Sequence, residues 1–167
     1  ATEHLKRQDP SRNYEVKISR AFEGPHTTFD ALVPPEDVRL HSGPLRDLLQ
    51  WADVCLITSG TATLEAALAG TPFLLVYRTS PLPYTIARAV LKIPFIGLPN
   101  ILMGREVVPE LIQECASPQL MGDSVRSLLD DPNRLKRMRE DFSELSRILG
   151  TKEPAREVAE HILGLVN

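Results

Sequence analysis

The sequence predicts an α/β fold: a Rossmann-like parallel sheet flanked by helices, ending in a helical tail. Three observations carry this prediction. Strand-like and helix-like runs alternate through most of the chain, as in parallel sheets built from βα units. The run Phe73-Leu74-Leu75-Val76-Tyr77 is apolar at successive positions, the mark of a strand covered on both faces. From Ser117 onward the signals are helical only. With 167 residues, the chain suits one domain of about 150 residues. Its 43% hydrophobic and 25% charged content favours a packed core over disorder.

Tyr14 to Ser19 alternates and reads as a strand, and Val38 to His41, after Pro34-Pro35, reads as a second short one. Pro44 to Ala52 is a helix with proline near its first position and Leu45, Leu48, Leu49 and Ala52 on one face. Val54 to Ile57 is a buried strand, followed by a small polar turn, a short helix, a Gly70-Thr71-Pro72 stop and the strand Phe73 to Tyr77. Pro81 to Leu91 reads as a helix carrying Tyr84, Ala87, Val90 and Leu91 at helical spacing. Pro94 to Pro99 reads as an extended strand, Asn100 to Arg105 as a glycine-containing loop, and Pro109 to Glu114 as a short helix.

Ser117-Pro118 and Asp131-Pro132 each pair an N-cap with a first-turn proline and open two further helices. In the second, Leu135, Met138, Phe142, Leu145 and Ile148 form one apolar stripe that Gly150 ends. Pro154 opens a last helix carrying Val158, Ile162 and Leu165. The parts are therefore a core over residues 46–150, a C-terminal helix over 151–167 and a less readable segment over 1–45.

Several functions find no support. A formal net charge of -3 gives no electrostatic case for nucleic acid, and 5% aromatics offer no base-stacking pattern. Cys55 and Cys115 have no cysteine or histidine at metal-ligand spacing and read as structural thiols, so neither a metal nor a cofactor is expected. His4, His26, His41 and His161 are scattered. The basic run Arg134 to Arg139, followed by Glu140-Asp141, reads as a solvated helix face. No run reaches the ~18 apolar residues of a membrane span. Thr2 to Asn13 is polar and shows no secretory pattern, and the helix-like His4 to Arg7 reads as part of something longer. A cytoplasmic protein is expected. Leu82, Tyr84 and Ile86, with Arg88 and Lys92, offer a possible contact with a bilayer surface.

Three polar loops at successive strand ends form the candidate site. Ser59-Gly60-Thr61-Ala62 joins a strand to a helix, where backbone N–H groups and the positive helix end suit an anion. Glu65 stands close behind, able to accept hydrogen bonds from sugar hydroxyls. No lysine follows the glycine, so this is not a P-loop, and Gly-x-Gly-x-x-Gly is absent. Arg78 and Ser80 lie on the second loop. Asn100, Gly104, Arg105 and Glu106 lie on the third, where Asn100 offers an amide and Arg105 a forked phosphate contact. The plainer alternatives are an ordinary capped turn for the first two loops and a local salt bridge between Arg105 and Glu106 for the third. Ligands of open parallel sheets bind outside the carboxyl ends of the strands, so the three loops point to one crevice.

Together, the run from Ser59 to Tyr84 and the run from Ile93 to Glu114 resemble bacterial lipid-A-disaccharide synthase, closely over about Trp51 to Gly122 and loosely over the helical tail. The resemblance implies the C-terminal, donor-binding half of a GT-B type architecture, in a metal-independent enzyme. Such an enzyme transfers 2,3-diacylglucosamine from UDP to 2,3-diacylglucosamine 1-phosphate, giving a β-1,6 disaccharide and UDP. It further implies that Ser59, Gly60, Thr61 and Ala62 hold the diphosphate and that Glu65 takes the ribose. Asn100, Gly104, Arg105 and Glu106 would line the crevice, with Arg78 and Ser80 near it.

The Gly-Ser-Arg phosphate loop of the family is not found, and neither is the acceptor domain expected to carry the general base. The chain therefore reads as a truncated donor half that is not expected to turn over alone. Its expected partners are the UDP-diacylglucosamine donor, the lipid acceptor, an N-terminal acceptor domain, the cytoplasmic face of the inner membrane and a second copy in a homodimer; the last helix is expected to cross onto that domain or onto the second copy. Two other readings stay open: a UDP-sugar 2-epimerase-like enzyme and a non-catalytic nucleotide-sugar binding module.

Overall fold

A computed structural model of the chain describes residues 1–19, 38–79, 94–150 and 161–163. The elements in order are α1 (Thr2–Gln8), β1 (Val16–Ser19), β2 (Val38–His41), α2 (Leu45–Trp51), β3 (Cys55–Thr58), α3 (Ala62–Leu68) and β4 (Phe73–Tyr77). There follow α4 (Leu98–Met103), β5 (Glu110–Ile112), a 3-10 turn (Gln113–Cys115), α5 (Pro118–Leu129) and α6 (Pro132–Leu149). Every strand pairing among the described residues is parallel. β1 pairs with β2, and a second sheet runs β3-β4-β5. This is the predicted α/β, Rossmann-like arrangement.

β4 is the centre of the second sheet. Phe73, Leu74 and Leu75 are all buried, so both faces are covered, as their unbroken apolar run implies. Phe73 stacks on Phe142 of α6 with ring centroids 5.7 Å apart, and Met138 and Leu145 of the same helical stripe are buried beside it. Ile148, the last residue of the stripe, is exposed. Each fully buried Leu or Phe contributes about 1.5–3 kcal/mol. An exposed helix pair such as Lys136–Glu140 contributes about 0.3–0.5 kcal/mol, so apolar packing holds this layer together.

The helix ends follow the sequence. The Ser117 hydroxyl accepts from Leu120 N and the Asp131 carboxylate from Arg134 N, each with proline in the first turn. Around β1, the Lys17 ammonium lies 3.7 Å from the ring centroid of Trp51 on α2.

α1 docks on α5. Leu5 is buried, His4 Nε2 and Asp123 Oδ1 are 2.9 Å apart, and Arg12 Nη1 donates to Asp130 Oδ1 at 2.8 Å. The hydrogen bond from His4 holds the Asp123 carboxyl below its ordinary range. Gly122 lets the helices approach, since a Cβ there would lie 2.9 Å from His4 Cδ2 and 3.3 Å from the Ala1 carbonyl.

Three expectations are corrected. Pro94 to Pro99 is not an extended strand, because helix α4 begins at Leu98 with Gly97 as its N-cap and Pro99 in its first turn, where a fixed φ favours helix. Asn100 to Arg105 is therefore not a loop. The helix continues to Met103 and stops at Gly104, whose φ of 65° is the left-handed cap that favours glycine. Pro109 to Glu114 is not a helix. Its Glu110–Ile112 stretch pairs with the edge of β4, Leu75 N donates to the Pro109 carbonyl at 2.9 Å, and only Gln113–Cys115 turn as a 3-10 helix. An open strand edge offered three residues more than a short helix would. The expected Pro81–Leu91 helix and the opening of the last helix at Pro154 lie outside the described residues. Residues 161–163 are helical.

Candidate functional site

The Ser59 turn leaves the carboxyl end of β3 and enters α3. Gly60 has a φ of 147°, a conformation side chains avoid, and no heavy atom lies within 4 Å of where its Cβ would be. The backbone here is tightly turned and open to a ligand. The turn is closed by Thr63 N to the Gly60 carbonyl at 3.1 Å and by the Thr63 hydroxyl to the same carbonyl at 2.7 Å. Thr61 and Glu65 are exposed, and Ser59 and Ala62 are half-buried.

The segment that leads into α4 is tied to this turn. The Ser59 hydroxyl donates to the Ile96 carbonyl at 3.3 Å. Ile96 and Gly97 in turn donate their backbone N–H groups to Glu110, at 3.0 Å to Oε2 and 2.9 Å to Oε1 respectively. Gly97 is the glycine this approach needs, because a Cβ there would lie 2.8 Å from Leu75 Cδ1 and 3.1 Å from Glu110 Oε1. The second loop is held from the same segment. Thr79 N donates to Gln113 Oε1 at 2.9 Å, and Gln113 is the only non-glycine residue with positive φ, 53°, among the described residues. That conformation costs about 1–2 kcal/mol. Arg78 is exposed beside it, and Ser80 lies outside the described residues.

Asn100 differs from its expected part. It is fully buried, and its amide is spent within the protein. Oδ1 accepts from Val107 N at 2.8 Å and Val108 N at 2.9 Å, and Nδ2 donates to the Val108 carbonyl and to Glu110 Oε1, both at 2.8 Å. A carboxamide has two lone pairs and two N–H groups to use, so none is left for a ligand. Arg105 points toward α6, where Nη2 donates to Asp141 at 2.8 Å and Glu144 at 3.1 Å. The bond to Asp141 raises the guanidinium further above its already high range. The expected local pairing with Glu106 is replaced by this pairing across helices, and Glu106 is exposed. Gly104 caps α4.

Sequence reasoning missed Glu110 and Gln113, the two residues that organise the loops. Their signal, polar side chains flanking Leu111-Ile112, was hidden because the segment read as a helix. No group of His, Cys, Asp or Glu suited to a metal ion occurs among the described residues. No helix among them is long and apolar enough to cross a membrane.

A parallel α/β layer with polar turns at its strand ends is shared by many nucleotide-binding proteins. The comparisons with known proteins narrow this class. The family profile described as Lipid-A-disaccharide synthetase matches residues 4–163, and the chain belongs to the lipid-A-disaccharide synthase family. The match extends well into the segment before residue 46 that the sequence left unread.

The lipid-A-disaccharide synthase of Syntrophus aciditrophicus is 40% identical over 136 residues, covering 81% of this chain and 36% of that protein. That of Sulfurihydrogenibium sp. is 36% identical over 131 residues, covering 78% and 34%, and that of Neisseria gonorrhoeae 40% identical over 112 residues, covering 67% and 28%. The chain thus spans about a third of the length of the curated relatives it matches.

Proposed function

We propose that this chain forms the donor side of a lipid A glycosyltransferase, which moves 2,3-diacylglucosamine from UDP to 2,3-diacylglucosamine 1-phosphate and releases UDP. Family membership supports the reaction class. The observation that carries the site is the open Ser59-Gly60-Thr61 turn at the end of β3, tied by Ser59 to the loop that leads into α4.

In this reading the Ser59 to Ala62 backbone N–H groups and the Thr61 hydroxyl bind the diphosphate at the positive end of α3, while the Ser59 hydroxyl stays on the Ile96 carbonyl. They favour the transition state because negative charge grows on the departing diphosphate, and donors fixed beforehand need no reorganisation. Glu65, exposed on α3, takes the ribose hydroxyls. Arg78, exposed just beyond β4, borders the same crevice, and the family resemblance gives Ser80 the same part. Asn100 and Gly104 shape it rather than touch the donor. Arg105 reaches a phosphate only by leaving Asp141 and Glu144, and Glu106 stands at the rim. The general base belongs to the acceptor side. Lipid substrates place the enzyme at the cytoplasmic face of the inner membrane.

The test is a calorimetric titration of the chain with UDP, beside ADP and a Glu65→Ala variant. We expect UDP to bind, ADP to bind more weakly, and the variant to lose about tenfold in affinity, the value of one hydrogen-bonded carboxylate. A folded chain that takes up no UDP would overturn the donor-site reading.

A further inference from the structure

We propose that Glu110 is a positioning residue of the donor crevice, one whose carboxylate fixes the Ser59 turn through the backbone of Ile96 and Gly97; this rests on the donor-site reading above. Glu110 opens β5, paired with Leu75 in the middle of the sheet, so its backbone is anchored in the most buried layer of the fold. Its two oxygens accept from Ile96 N, Gly97 N and Asn100 Nδ2. Two backbone amides that precede helix α4 thus end on one fixed carboxylate, and charge-assisted bonds of this kind are about twice as strong as neutral ones. The Ile96 carbonyl, oriented by the same short segment, accepts the Ser59 hydroxyl. The relay therefore runs from sheet to carboxylate, from carboxylate to the 96–97 backbone, and from there to the turn proposed to hold the diphosphate.

Gly97 enforces the contact, for any side chain there would press on Leu75 and on Glu110 itself. Asn100 donates to the same Oε1 as Gly97 and also accepts from Val107 N and Val108 N just before the strand. A carboxamide at position 110 keeps the size of the side chain, but wherever its NH2 replaces an oxygen it meets an N–H donor. Glu110→Gln thus breaks the relay with little change in volume.

The experiment measures UDP affinity of the full chain by calorimetry in the parent, Glu110→Gln, Ser59→Ala and the double variant. All are held at a temperature where circular dichroism shows them folded. Phe142→Leu serves as a control that weakens the core without touching the relay. We expect Glu110→Gln to weaken UDP binding about tenfold or more, the loss of a hydrogen bond to a charged group. In the Ser59→Ala background the same change should cost less than about twofold, because residues coupled in one network are not additive. Phe142→Leu should leave affinity unchanged while lowering the melting temperature. Equal affinity of parent and Glu110→Gln, or losses that multiply in the double variant, would overturn the proposal.

Should the parent bind no UDP, the donor-site reading fails by itself, and the relay is read from amide hydrogen exchange at Thr63 and Leu64, which close the Ser59 turn. Faster exchange there in Glu110→Gln but not in Phe142→Leu supports positioning. Unchanged exchange overturns it.

Discussion

At the scale of single residues, Asn100 shows how one side chain can stand in for secondary structure. The chain between α4 and β5 is too short for a ladder, and a buried carboxamide supplies the hydrogen bonds that Val107 and Val108 would otherwise lack. Asn100→Asp keeps the shape but turns Nδ2, a donor to the Val108 carbonyl and to Glu110, into an acceptor facing two acceptors. We expect a loss of about 2–3 kcal/mol, measured as a lower urea midpoint at unchanged slope. A midpoint within error of the parent would show that the bracket carries no stability. The sequence marked Asn100 as a crevice residue, but the structure buries it and spends its amide within the protein. A polar residue between Pro99 and Gly104 looks the same whether it faces solvent or the core, and the groups that decide lie seven to ten residues away.

At the scale of elements, the sequence was most legible where a short-range rule acts alone. Alternation marked β1, continuous apolarity marked β4, and the Ser117 and Asp131 caps marked the starts of α5 and α6. α4 and β5 were misread because each is short and is decided by partners distant in sequence: Glu110 for the approach to α4, and the edge of β4 for β5. The Ser59 turn and the Arg78 loop do follow strand ends, whereas Asn100 lies in α4 and Gly104 to Glu106 lead into β5, and the residues that tie these segments together were not legible.

β3 illustrates a consequence of element packing for chemistry. Cys55 lies in this strand half-buried, and desolvation pushes its thiol up to about 11. Unfolded cysteine ionises near about 8.5, so this contribution to stability is complete below that pH and is lost as pH rises toward about 11. At pH 8 the exposed Cys115 should react quickly with a disulfide reagent, and Cys55 only on unfolding. Two equally fast thiols in the folded chain would contradict the packing of β3.

At the scale of the whole molecule, the docking of α1 on α5 joins the first described helix to one that follows every described strand. Gly122→Val places a side chain against the His4 ring and the Ala1 carbonyl. We expect it to displace α1 at a cost of about 1–3 kcal/mol, the usual range for overpacking. Limited trypsin digestion reads this directly, through faster cleavage after Lys6 and Arg7. Unchanged cleavage would mean that the helices separate easily enough to absorb the extra atoms.

The same contact sets a timetable during synthesis. His4 and Asp123 stand 119 positions apart, and chains lengthen at about 5–20 residues per second. Once made, α1 therefore waits on the order of ten seconds for its docking surface to leave the ribosome. Through that interval Leu5, buried in the finished fold, is bare, and this small apolar face is open to whatever chaperone meets the growing chain first.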